Sequence, residues 1–154
     1  MSKKLIRIVE KAVHMASHNE QSPHYRHSCI LLDKRYNILT SGCNNYSKTH
    51  PVQARLAMQS ELPKRIFLHA EISALIRLRS MGMEEALHSA VCVRVRTIQK
   101  NKMLGLSFPC PICFDTLIKS GVKKIIYSTS ENTIKTVNMS IADIDIMNYS
   151  IANA

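Results

Sequence analysis

The sequence predicts a three-layer α/β sandwich. Three observations carry that expectation. Helical and strand periodicities alternate along the chain, no internal repeat or Pro/Gly/Ser-rich linker divides it, and 45% of its 154 residues are hydrophobic. That composition supports one sizeable core, so 1–154 is read as a single domain. Leu5, Val9, Ala12, Val13 and Ala16 recur at three- and four-residue steps between Ser2 and about Ser17, the pattern of an amphipathic helix. The apolar runs 28–33 and 37–41 flank Lys34-Arg35-Tyr36 as a strand hairpin. Residues 42–50 are polar and read as a loop. Pro51 opens a short helix to about Gln59, and Leu62-Pro63 interrupts. A second amphipathic helix starts near His69 and stops at Gly82. Val91, Val93 and Val95 alternate with Cys92, Arg94 and Arg96 over 89–98, a strand, and 101–108 reads as a loop. Residues 110–120 form a further helix, with Pro109 and Pro111 at its start and Gly121 past its end. Strands follow at 123–128 and, more weakly, 133–137. The tail at 141–147 fits a strand or a helix.

Charge and cysteine narrow the chemistry. Twenty-one Lys and Arg against 11 Asp and Glu leave a net charge of +10, a field that attracts anionic ligands such as nucleotides or nucleic acid. No apolar run reaches the length of a membrane span. Arg7, Glu10 and Lys11 interrupt anything resembling a signal-peptide core, so a cytoplasmic protein with reduced thiols is expected. The absence of Trp weighs against a surface built mainly to stack single-stranded bases.

The sharp signal is His69-Ala70-Glu71 together with Pro109-Cys110-Pro111-Ile112-Cys113. Cys110 and Cys113, at i and i+3 in a first helical turn, share one face, where the positive helix end favours thiolates. His69 opens the other helix and offers an imidazole. Two thiolates and a neutral imidazole balance a Zn²⁺ charge and leave the fourth tetrahedral position open, as in a catalytic rather than a structural site. A carboxylate at Glu71 beside zinc-bound water can take its proton and pass it to a substrate ring nitrogen. Hydrolytic removal of an amine is the natural chemistry of that set. The bland alternative is a closed zinc site with Cys43, His88 or Cys92 as fourth ligand, in which Glu71 has no role.

The pairing of H-x-E with P-C-x-x-C resembles the zinc-dependent cytidine/deoxycytidylate deaminase superfamily. The resemblance spans about 28–128 and implies a mixed five-stranded sheet flanked by helices. It implies that His69, Cys110 and Cys113 are zinc ligands and Glu71 the proton shuttle. It also implies substrate contacts from Asn44, after the second strand, from Ala70, and from Arg26 and His27 at the edge of the first strand. Members commonly associate through faces near the active site, so a homo-oligomer is expected.

Positions around the cysteines discriminate among members. Pro111 and Phe114 stand where cytidine deaminases typically carry Gly and Arg, and Ile112 stands where tRNA adenosine and guanine deaminases usually carry Met. The lack of Trp removes the motif of polynucleotide cytidine deaminases. Deoxycytidylate deaminases resemble the chain best, although their H-A-E-x-N has Asn where this chain has Ser73. The implied activity is conversion of a cytosine nucleotide, best deoxycytidylate to deoxyuridylate and ammonia. The alternatives are deamination of another nucleoside or nucleobase, action on RNA or DNA (compatible with the charge but less favoured), and a non-catalytic nucleic-acid-binding module. Lys48, His50, Arg55, Lys64 and Arg65 are candidate phosphate contacts near the pocket mouth. Arg94 and Arg96 read as the solvent-facing side of an edge-proximal strand, and Cys29 and Cys92 as small core residues.

Overall fold

A computed structural model describes residues 1–22, 24–61, 67–98 and 103–139. Helix α1 (Lys3–Ser17) begins at Ser2, whose Oγ accepts the Leu5 N–H at 3.2 Å. Strands β1 (Arg26–Leu32) and β2 (Ile38–Cys43) form the expected antiparallel hairpin. Its turn is built by Asp33, whose Oδ1 accepts the Arg35 and Asn37 N–H groups at 2.8 and 2.9 Å and lets Tyr36 adopt a left-handed φ of 66°. Helix α2 (Pro51–Gln59) has Pro51 in its first turn and His50 Nδ1 accepting the Val52 N–H. Next come α3 (Ala70–Ser80), a short 3₁₀ turn (Glu84–Leu87) and β5 (Ala90–Ile98). Helix α4 (Pro111–Ser120) ends at Gly121, whose φ of +110° is the left-handed stop predicted for it. Strands β7 (Val122–Ser128) and β8 (Ile134–Asn138) follow.

Two segments expected to be loops contain strands. Within 42–50, β3 (Asn45–Thr49) pairs with the two-residue β4 (Phe67–Leu68) in a separate ribbon. Within 101–108, β6 (Met103–Gly105) pairs with the end of β5. Both partners are too short to show a period-2 pattern. The break at Leu62-Pro63 and the tail at 141–147 lie outside the described residues.

The main sheet runs β2-β1-β5-β7-β8, with β5 parallel to β7 and every other pairing antiparallel. This is the mixed five-stranded core, with β6 added as a sixth strand. One edge of β5 is taken by β1, and the other is shared by β7 over Ala90–Arg94 and β6 over Arg96–Ile98. Ser107 and Ser128 stitch that seam. Ser107 Oγ donates to the Arg94 carbonyl at 2.7 Å, and Ser128 Oγ donates to the Gly105 carbonyl at 2.7 Å. Buried polar backbone is thereby satisfied where the ladder changes partner.

Helix α1 covers one face, packing Leu5, Ile8, Ala12 and Ala16 on Ile30, Leu32, Val93 and Val95. Helices α3 and α4 cover the other, packing Ala74, Leu78, Phe114 and Leu117 on Cys29, Leu31, Cys92 and Ile125. The three layers are therefore α/β/α. Strand β5 lies mid-sheet, which corrects the edge-proximal expectation: Arg94 alternates onto the α3/α4 face and is only 3% exposed. Cys29 and Cys92 are core residues, as expected, with their sulfurs 3.6 Å apart. Among the described residues no helix is long and apolar enough to cross a membrane.

Candidate metal centre

The N-termini of α3 and α4 meet over the sheet and bring three donors together. His69 is the extended residue before α3, and its ring makes no capping bond. Its backbone N–H donates to the buried Gln53 Oε1 at 3.2 Å, so α2 anchors the helix entrance. Cys110 occupies the same position before α4, again without a side-chain cap, and Cys113 lies in the first turn. His69 Nδ1 is 3.5 Å from Cys110 Sγ and 3.4 Å from Cys113 Sγ. All three donor atoms lie within 4.8 Å of one another, and no fourth His, Cys, Asp or Glu of the described residues joins them.

The candidate closing ligands sit elsewhere. Cys43 Sγ faces the Met15 carbonyl at 3.7 Å, Cys92 is paired with Cys29, and His88 ends the 3₁₀ turn. Cys110 is held down at about 3 by a hydrogen bond with Cys113, with His69 adding to it against the effect of burial. Burial pushes the Cys113 thiol up, and its bond with Cys110 adds to the shift. Two sulfurs and an imidazole nitrogen at this spacing suit a tetrahedral, borderline-soft divalent ion.

Glu71 lies outside the ligand set and is fully buried. Its Oε1 accepts from Arg94 Nε, and its Oε2 has no partner. Arg94 Nη1 in turn meets His27 Nδ1. Burial alone would lower the Arg94 pKa, but the charge of Glu71 and its hydrogen bond outweigh that and raise it. Burial, followed by the charges of Arg94 and Arg96, pushes His27 far below its ordinary value. A neutral ring facing a guanidinium N–H must accept at Nδ1, which puts its proton on Nε2.

Tyr46, on β3, closes the group. Its ring centroid is 5.6 Å from His69, 6.3 Å from His27 and 6.4 Å from Phe67, and burial pushes its hydroxyl up to about 12.

The candidate substrate residues divide. His27 joins the cluster, and buried Ala70 lies between His69 and Glu71. Asn44 is buried and committed within the protein: Oδ1 accepts from the His27 N–H at 2.9 Å and Asn19 Nδ2 at 2.8 Å, and Nδ2 donates to the Tyr25 carbonyl at 2.6 Å. It fixes the entry into β1 and with it His27. Arg26 lies apart from His27. Strand alternation sends it to the α1 face, where Nη1 donates to the Ser17 carbonyl at 2.7 Å, away from the metal ligands. His50 caps α2 and Arg55 is exposed. Lys64 and Arg65 lie outside the described residues, as does the Lys48 side chain. Sequence reasoning missed Arg94 and Tyr46. The one available signal for Arg94 was a charge flanked by valines within a strand.

Residues 2–129 match the family described as the cytidine and deoxycytidylate deaminase zinc-binding region. The chain belongs to this family. Zn²⁺ is the cofactor that its His/Cys/Cys cluster fits. Among solved structures, cytidine deaminase from Mycobacterium leprae is similar in fold, with a TM-score of 0.50 and 16% identity over 83% of this chain and 88% of that one. RibD from Acinetobacter baumannii, form 2, matches with a TM-score of 0.49 and 15% identity over 82% of this chain. This chain spans only 28% of that RibD's length. No curated protein matches the chain in sequence.

Proposed function

We propose that the protein is a zinc-dependent hydrolytic deaminase of a cytosine nucleotide, converting deoxycytidylate and water to deoxyuridylate and ammonia. The observation that carries this reading is a buried carboxylate with one unpartnered oxygen beside a three-donor cluster. When bound to His69, Cys110 and Cys113, Zn²⁺ supplies the Lewis acidity that makes water a nucleophile near neutral pH. Glu71 Oε2 accepts a proton from that water and delivers it to the ring nitrogen beside the amino-bearing carbon. The same oxygen then carries the second proton to the departing amine. A C–O bond forms, the C–N bond breaks and ammonia leaves. The Tyr46 ring, 5.6 Å from that of His69, offers a planar base an aromatic wall beside the donors. The positive net charge supports a phosphorylated substrate over a neutral nucleoside.

The test is ammonia release from a panel of amino nucleobases, nucleosides, nucleotides and oligonucleotides by zinc-loaded protein. Deoxycytidylate is expected to turn over fastest. Turnover only on oligomers, weakening steeply with salt, would move the substrate to a polynucleotide. No ammonia from any compound with zinc retained would overturn the reading and favour a binding module. Glu71→Gln is expected to keep one zinc per chain and lose about 10²–10⁴-fold in kcat.

A further inference from the structure

Arg94 is a charged side chain placed mid-sheet, where strands are ordinarily apolar. It is 3% exposed and lies between Cys29 on β1 and Tyr127 on β7 in the sheet register. Its fork spans two acceptors from different elements, Glu71 Oε1 at the start of α3 and His27 Nδ1 on β1. His27 is itself held, because Asn44 accepts its backbone N–H. Asn44, His27, Arg94 and Glu71 therefore form one continuous chain of contacts ending at a single free oxygen, Glu71 Oε2. A planar guanidinium can hold both acceptors at once, whereas an ammonium is a point charge with no such fork.

We infer that Arg94 is a positioning residue for Glu71, holding the carboxylate by Oε1 so that it stays a proton carrier and does not swing onto the metal as a fourth ligand. This rests on the deaminase reading for its purpose, but not for its test. An unrestrained buried carboxylate next to a zinc-type cluster is itself a good ligand for it. His27 acts behind Arg94, fixing the guanidinium from the side away from Glu71.

The experiment uses the full chain loaded with Co²⁺, whose visible absorption reports its ligands, titrated with azide as a probe of the open position. Wild-type protein is expected to bind azide with a spectral change. Arg94→Met is expected to bind it about tenfold more weakly or not at all, and Arg94→Met/Glu71→Gln to recover wild-type binding. With zinc, Arg94→Met is expected to lose about 10–100-fold in kcat at one metal per chain. Its KM should stay within about threefold, the split expected of a group acting on the reacting step rather than on substrate binding. Arg94→Lys keeps the charge without the fork and is expected to fall on the methionine side of both measurements.

Wild-type azide affinity in both single variants would overturn the inference. So would loss of cobalt from both, since Arg94 would then be holding the ligands rather than the carboxylate. The azide titration needs no substrate. A wild-type protein that deaminates nothing would therefore sink the deaminase reading while the spectra still decide the role of Arg94.

Discussion

At the scale of single residues, the metal donors were legible because they are local. Cys110 and Cys113 are one helical turn apart, and His69 and Glu71 are both at one helix entrance, so spacing alone put each pair on its site. Arg94, His27 and Asn44 were harder because their roles depend on which strand neighbours which. Arg26 and His27 are adjacent in sequence yet face opposite layers, and only the register of β1 between β2 and β5 tells them apart. Asn44 depends on the same topology. The resemblance implies a substrate contact there, and in the fold its carboxamide bonds Asn19, Tyr25 and His27. Asn44→Ala leaves a buried N–H and a carbonyl without partners and is expected to lose about 2 kcal/mol or more of stability by denaturant unfolding. A variant as stable as wild type would show that these bonds are dispensable.

At the scale of elements, the long periodic segments were readable, and the two- and three-residue strands were not. Helices α1, α2, α3 and α4 and strands β1, β2, β5, β7 and β8 carry caps, prolines or apolar alternation that specify them locally. Strands β3, β4 and β6 are defined by the chain they lie against, which composition does not encode. Yet β3 supplies Tyr46, so an aromatic neighbour of His69 came from a segment that read as polar loop. The packing of α3 on β2 is equally non-local. A Cβ on Gly42 would stand 2.6 Å from the Ala74 backbone nitrogen and 2.8 Å from Ser73 Cβ. Gly42→Ala must therefore push α3 away from the sheet, at an expected cost of about 1–3 kcal/mol. Because His69 immediately precedes α3, the same change is expected to weaken zinc binding, measurable by competition with a chelating dye. Unchanged stability and zinc affinity would mean that α3 is free to shift without disturbing the ligands.

For the whole molecule, the metal site joins the entrances of two helices that also share a core over the sheet. Its ligands come from α3 and α4, far apart in sequence, so an ion bound by all three ties two separate segments together. Anything that binds the folded chain and not the unfolded one stabilises it, by about 2.7 kcal/mol at a hundredfold excess over Kd. Removing zinc with a chelator is therefore expected to lower Tm by roughly 5–10 °C for a chain of this size, reversed by adding zinc back. A Tm indifferent to zinc would place the donors in a site too weak to matter. The α/β/α layering was foreseen from alternation alone, whereas the mid-sheet place of β5 was not, because strand order is a property of the entire topology.

With the ion bound, its two thiolates cancel it, and Glu71 and Arg94 cancel each other. Breaking such a buried pair by changing one member costs about 3–5 kcal/mol, while exchanging both for apolar groups is often tolerated. Positions 71 and 94 should consequently drift as a couple through evolution. A lineage that abandons chemistry at the first should soon shed the cation at the second, and homologues keeping one without the other should be rare.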